Sequence, residues 1–164
     1  MKFDVLAVAL IATAVGASAA QNVAAPFSIS IAANQTTTKP GDPLIVSIIL
    51  ENLSDDAFSI KTSGIAEGET LFDIAMRDSS GNPAPFTRYC KSIKGIYQGP
   101  GPQTIIGHNF GTAFIKPQQS EKWTSNVSKC FELQPGTYTV QASFSETPSK
   151  QTIVSNTIKV TIVK

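Results

Sequence analysis

The chain has 164 residues, with 13 Lys and Arg against 12 Asp and Glu and a formal net charge of +1. That balance leaves no basic field to hold nucleic acid, and no acidic or basic run marks an interaction tail. The polar residues are dominated by uncharged types, rich in Ser and Thr, which suit exposed strand faces and lean the chain toward an all-β domain.

Lys2 opens the chain with a positive charge, partly offset by Asp4, and Val5 to Val15 is apolar except for Thr13. At about 11 residues this run is far short of the roughly 20 that a membrane-spanning helix needs. Ala17, Ala19 and Ala20 place small residues where signal peptidase reads them, so residues 1–20 are expected to be a secretory signal peptide cut after Ala19 or Ala20. The mature domain then runs over 21–164, with no lipid-bearing cysteine at the cut and no membrane anchor after cleavage. The expected location is secreted or periplasmic. Export also bears on Cys90 and Cys130, because paired cysteines in an oxidising compartment usually form a disulfide. The rival reading is a free thiol nucleophile near His108, for which nothing in the sequence supplies a depressed thiol pKa.

Beyond Pro26, Phe27, Ile29 and Ile31 alternate with Ser28, Ser30 and Ala32, the pattern of a half-buried strand. Asn34 to Pro40 is polar and leads into a Lys39-Pro-Gly-Asp-Pro43 turn. Leu44 to Leu50 is apolar on both faces and is expected in the middle of a sheet. Asn52 to Asp56 turns the chain, Phe58 and Ile60 mark a short strand, and Ser63 to Thr70 reads as a loop. Leu71 to Arg77 alternates again, Asp78 to Pro83 is a hairpin turn, and Phe86 to Cys90 is expected to return as a strand. Lys91 to Gly107, rich in Gly and Pro, reads as a long ordered loop with a short strand at Thr104 to Ile106. Strands are then expected at Thr112 to Lys116, Glu121 to Val127, Thr137 to Phe144 and Ile153 to Val163, with Glu146 to Gln151 a polar turn between the last two. Eight or nine antiparallel strands near ten-residue spacing, without sustained helical periodicity, predict one β-sandwich domain.

Three segments carry a resemblance. Lys39-Pro-Gly-Asp-Pro-Leu-Ile-Val-Ser-Ile-Ile-Leu-Glu-Asn52 resembles the opening of bacterial immunoglobulin-like domains, and Leu133-Gln-Pro-Gly-Thr-Tyr-Thr-Val140 resembles their late Pro-Gly-turn and Tyr-x-Val strand. Ser155 to Ile162 is similar to the terminal strand of small exported bacterial domains. The resemblance covers about a third of the mature chain and implies an immunoglobulin-like sandwich. A more distant similarity is to the bacterial intracellular-proteinase-inhibitor sandwiches, whose compartment differs from the one the export signal implies. Chagasin-like inhibitors are a further comparison, but Asn34-Gln-Thr-Thr-Thr38 departs from their first binding loop and Lys116-Pro117 lacks the aromatic partner of their third.

Candidate chemistry is sparse. His108 is the single histidine, and no Gly-x-Ser-x-Gly or Ser-x-x-Lys is present to build a hydrolase around it. One histidine and two disulfide-prone cysteines fall short of a zinc site. Asp55 and Asp56 lack the series of oxygen ligands that calcium requires and read as a solvated turn. No cofactor is implied. Asn34-Gln-Thr36, Asn52-Leu-Ser54 and Asn126-Val-Ser128 fit the N-glycosylation rule, and the lone Trp123 reads as core or sandwich rim rather than a sugar-stacking platform. The 91–107 loop has two readings: a structural loop packed down by Ile93 and Ile96 and tethered at Cys90, or the best place for a partner, where Arg88, Lys91 and Lys94 set positive charge beside Tyr97, a side chain that offers large contact at low entropic cost. The chain is therefore expected to be a non-catalytic module that binds an extracellular or periplasmic protein or glycan, with a loop-presenting protease inhibitor as the alternative.

Overall fold

The computed structural model describes residues 26–63, 67–100, 110–145 and 151–164. The expected signal peptide and its cut, the expected strand at Thr104 to Ile106, His108, and most of the turn after Phe144 lie outside them.

The first sheet has three strands in the order β1-β3-β7, where β1 is Phe27–Ala33, β3 is Ile45–Asn52 and β7 is Ser120–Asn126. Strand β3 pairs antiparallel with both neighbours, in the registers Ile31↔Ile48 and Ile48↔Trp123. It holds the central position its apolar run predicts. The burial is one-sided, however: Val46, Ile48 and Leu50 are fully enclosed while Ile49 is 39% exposed. A three-stranded sheet in a two-layer sandwich has one solvated face, so Ile49 faces water.

The second sheet runs β2-β10-β8-β5, with β2 Thr37–Thr38, β5 Asp73–Asp78, β8 Gly136–Ser145 and β10 Ile158–Ile162; β9, Thr152–Val154, also pairs with β8. Two strands, β4 Phe58–Ser63 and β6 Phe110–Ile115, form a separate antiparallel ribbon. Among the described residues there are ten strands, slightly more than expected, two of them, β2 and β9, only two and three residues long. The β2–β10 pair is parallel, an exception to the otherwise antiparallel ladders.

Strands β9 and β10 form one strand with a bulge. The register Ser143↔Val154 becomes Val140↔Ile158, which inserts one extra residue on the outgoing strand. Such an insertion kinks a strand and re-aims a side chain. Here Ser155 stays in register through its N–H to the Ala142 C=O at 2.8 Å, and Asn156 is thrown toward β1.

The core lies between the sheets. Phe72, Ile74 and Met76 from one layer meet Val46, Ile48, Leu50 and Trp123 from the other, with Tyr138, Val140 and Phe144 from β8. The Trp123 ring meets Phe72 edge-on, with centroids 5.4 Å apart, which places the tryptophan in the core, one of the two expected positions. The Pro135-Gly136 turn leads into β8 as the Leu133 to Val140 segment predicts. Its Tyr138 hydroxyl donates to the Gln134 C=O at 3.0 Å and accepts the Gln134 N–H at 3.2 Å, a tyrosine corner of the kind found in immunoglobulin-like sandwiches. The fold is an immunoglobulin-like β-sandwich.

Two expectations are corrected. Part of the Ser63 to Thr70 loop is a one-turn helix, α1 Glu67–Leu71, whose Gly68 lies so close to the Thr124 carbonyl that a Cβ there would overlap it. The expected strand at Phe86 to Cys90 is instead an isolated bridge, Phe86↔Phe131, followed by a helix, α2 Arg88–Ile93. Thr87 caps that helix by accepting the Cys90 N–H at 3.2 Å. Neither helix is long enough to show a 3.6-residue period, which is why the pattern of the sequence misses them.

Candidate functional site

The end of the sandwich beyond β5 is built around a disulfide. Cys90 on α2 is bonded to Cys130 on a third helix, α3 Val127–Cys130, across a sequence separation of 40, with Cα atoms 4.6 Å apart. Both cysteines are buried. The chain between Pro85 and Thr87 is laced to the same helix end. The Thr87 N–H donates to the Cys130 C=O at 2.9 Å, and the Glu132 N–H donates to the Pro85 C=O at 2.8 Å. The Phe86 and Phe131 rings pack at 5.2 Å between centroids. A buried crosslink and a short ladder therefore hold α2 rigidly against the sandwich.

The four residues expected to make contacts fall together here. Arg88 is exposed, and its guanidinium lies 4.9 Å from the centre of the Tyr97 ring, the distance of a cation–π contact. The Tyr97 hydroxyl donates to the Pro100 C=O at 3.1 Å. The Tyr97 ring presses so closely on Gly99 that no Cβ would fit there. Tyr97 is half-buried, so residues 96–100 fold back on α2 instead of projecting. Lys91, also half-buried, accepts the N–H groups of Ile96 and Tyr97 at its carbonyl, at 2.9 and 3.0 Å. Lys94 ends the helix, and its ammonium reaches the Asp73 carboxylate at 2.8 Å while lying 5.5 Å from the centre of the Phe86 ring.

Asp73 and Phe86, the two groups that Lys94 contacts, both line a hollow. The hollow holds about 140 Å³ and is lined by β5 from Asp73 to Arg77 and by Pro83, Ala84, Phe86 and Phe131. That volume is less than half the roughly 300 Å³ at which small-molecule sites begin, and it suits a single side chain better than a metabolite. The sequence points to Lys94 but not to this hollow, because its walls come from β5, the 83–86 arm and Phe131, which only the fold assembles.

The other candidates separate. Asp55 and Asp56 are exposed in a turn organised by Asn52, which is fully buried and donates through Nδ2 to the Asp56 C=O at 2.7 Å and the Ile115 C=O at 3.0 Å. Asn52 is therefore inaccessible to glycosylation in the folded domain. Asn126 is half-buried and accepts the Ser128 hydroxyl, whereas Asn34 is exposed and accepts the Ile45 N–H at 3.1 Å. Asp78 holds the β5 turn, and its carboxyl lies below the usual value of 3.8, chiefly through the Asn82 N–H that donates to it. The Tyr89 phenol on α2 is pushed up by burial and by the nearby Glu69 carboxylate. Among the described residues no cluster of three or more His, Cys, Asp or Glu could hold a metal, and no helix is long and apolar enough to cross a membrane.

No protein-family model matches the chain, and no curated protein matches it. Among solved structures it is similar to the CARDB domain of the PF1109 protein from Pyrococcus furiosus, at 13% identity and a TM-score of 0.44, covering 84% of this chain and 92% of that one. It is also similar to part of a β-glucosidase from Erythrobacter marinus, at 14% identity, a TM-score of 0.43, and 84% and 15% coverage. A β-glucosidase from Listeria innocua in complex with glucose is similar at 12% identity, a TM-score of 0.43, and 84% and 16% coverage. The chain thus spans about a sixth of each glucosidase, and neither likeness bears on the role of a residue here.

Proposed function

We propose that this chain is an exported, non-catalytic immunoglobulin-like module that binds a protein partner outside the cytoplasm through its disulfide-pinned end. The observation that supports this reading most is the gathering of Arg88, Lys91, Lys94 and Tyr97 on one short helix and the turn after it, beside a hollow of one-side-chain size. Rigid presentation lowers the ordering cost of binding, and the crosslink with the Thr87 cap supplies that rigidity. A disulfide suits an oxidising compartment. With both thiols bonded, neither Cys90 nor Cys130 is a nucleophile. The inhibitor alternative would need a loop that stands out to enter a protease; among the described residues of the 91–107 loop, 96–100 are folded down on α2.

The test is a comparative pulldown from extracellular or periplasmic extract. A partner captured by the native protein should be lost with an Arg88→Glu/Lys94→Glu variant and kept with Lys122→Glu, an exposed position on β7 of the other sheet. Capture that survives the charge reversal on α2 overturns the reading.

A further inference from the structure

We propose that the uncovered stretch of the β5 edge, at Ile74, takes up an extended, acidic segment of the partner by strand-type pairing, with an apolar side chain of that segment seated in the hollow. This rests on the binding role inferred above and names the ligand class of that site.

Strand β5 is the last strand of its sheet. In an antiparallel pair, successive residues send their backbone groups alternately to opposite sides. The Met76 C=O accepts the Ala84 N–H at 2.8 Å, and the Asp78 N–H donates to the Asn82 C=O at 2.9 Å, so Met76 and Asp78 face away from β8. Ile74 is the next residue in that series. Its N–H and C=O, and the N–H of Met76, have no hydrogen-bond partner among the described residues. The arm from Pro83 covers β5 only as far as Ala84 and then leaves it to pair with Phe131. The hollow is the gap it leaves.

Sandwich edges are ordinarily closed by a charge, a proline or a covering segment. On β1 the Asn156 amide does this at Ile31. On β5 the cover stops one residue pair short, and that gap coincides with a cavity walled by Met76, Ala84, Phe86 and Phe131. In strand addition, backbone groups give affinity and side-chain pockets give selection. The unpaired Ile74 groups and the hollow are those two parts. The acidic character follows from charge. Arg77 in the wall, Arg88 and Lys91 on α2, and Lys94 at its end stand against Asp73 in the wall and Glu69 near Tyr89. A partner carboxylate near Asp73 would share the Lys94 ammonium.

Three synthetic heptapeptides titrated into the ¹⁵N-labelled native protein decide the matter. One alternates Val with Asp, one alternates Val with Lys, and one is the Val–Asp peptide N-methylated at alternate residues. The Val–Asp peptide should shift the Ile74 and Met76 amides saturably. Both controls should bind at least roughly tenfold more weakly, from lost edge hydrogen bonds in one case and reversed charge in the other. Shifts confined to Arg88–Tyr97, with Ile74 and Met76 unmoved, overturn strand addition and leave the binding role of α2 standing. Equal binding by the N-methylated peptide also overturns it. No shift anywhere at millimolar peptide overturns strand addition and counts against the α2 surface as well.

Discussion

The side-chain amide of Asn156 holds both backbone groups of Ile31. Its Oδ1 accepts the Ile31 N–H at 2.8 Å, and its Nδ2 donates to the Ile31 C=O at 3.1 Å. Ile31 lies on the outer strand of one sheet, and Asn156 is the extra residue of the bulge in the other. One side chain therefore closes an open edge and ties the two layers together. Asn156→Ala should lower stability by about 1–2 kcal/mol, since two edge groups of Ile31 lose a pre-positioned partner and fall back on water. Asn156→Asp should be no better, because it sets a carboxylate oxygen against the Ile31 C=O. Urea denaturation checks both, and an unchanged midpoint in the alanine variant would show that the amide contributes nothing to the join.

Tyr138→Phe isolates the tyrosine corner. The ring stays in the core while both bonds to Gln134 are removed. The expected loss is about 1–2 kcal/mol. The same denaturation measurement reads it, and amide exchange at Gln134 should speed up before that of Val140, at the centre of β8.

Reducing the disulfide, or replacing both Cys90 and Cys130 by Ala, should destabilise the domain by roughly 4 kcal/mol, the loop-entropy value for a 40-residue closure. The loss should appear first at α2 and at the Phe86–Phe131 bridge, which the crosslink holds to the sandwich. Hydrogen exchange in the reduced protein checks that order.

The turn after β5 should respond to acid. The Asp78 carboxylate accepts the Ser80 and Asn82 N–H groups, both at 2.9 Å, and the Asn82 N–H is the largest cause of its lowered pKa. A carboxyl whose pKa is lowered by folding stabilises the fold above its unfolded value of 3.8, and that contribution is lost as pH falls through the folded value. The Ser80 and Asn82 amide resonances should therefore hold steady at neutral pH and move together as pH drops below 3.8. Asp78→Asn should abolish that movement. Amides that still shift in the variant would place the titration on another group.

Much of this architecture is legible in the order of residues. Alternating Phe72, Ile74 and Met76, the apolar run ending at Leu50, and the Pro135-Gly136 turn before Tyr138 are local patterns, set by the two-residue period of a strand and by turn chemistry. They determine β5, β3 and β8 and the class of fold. The expected export signal leads to the pairing of Cys90 with Cys130, and positive charge near a tyrosine leads to α2. What tertiary structure alone decided is how such pieces meet. The Phe86 to Cys90 segment has the composition of a strand, but it becomes a bridge and a helix because Cys130 and Phe131 are brought beside it from 40 residues on. The same long-range contact leads the chain away from β5, leaves Ile74 without a backbone partner among the described residues and leaves the hollow beside it. A free edge is a missing partner, and no local pattern of residues records a contact that the rest of the fold does not make.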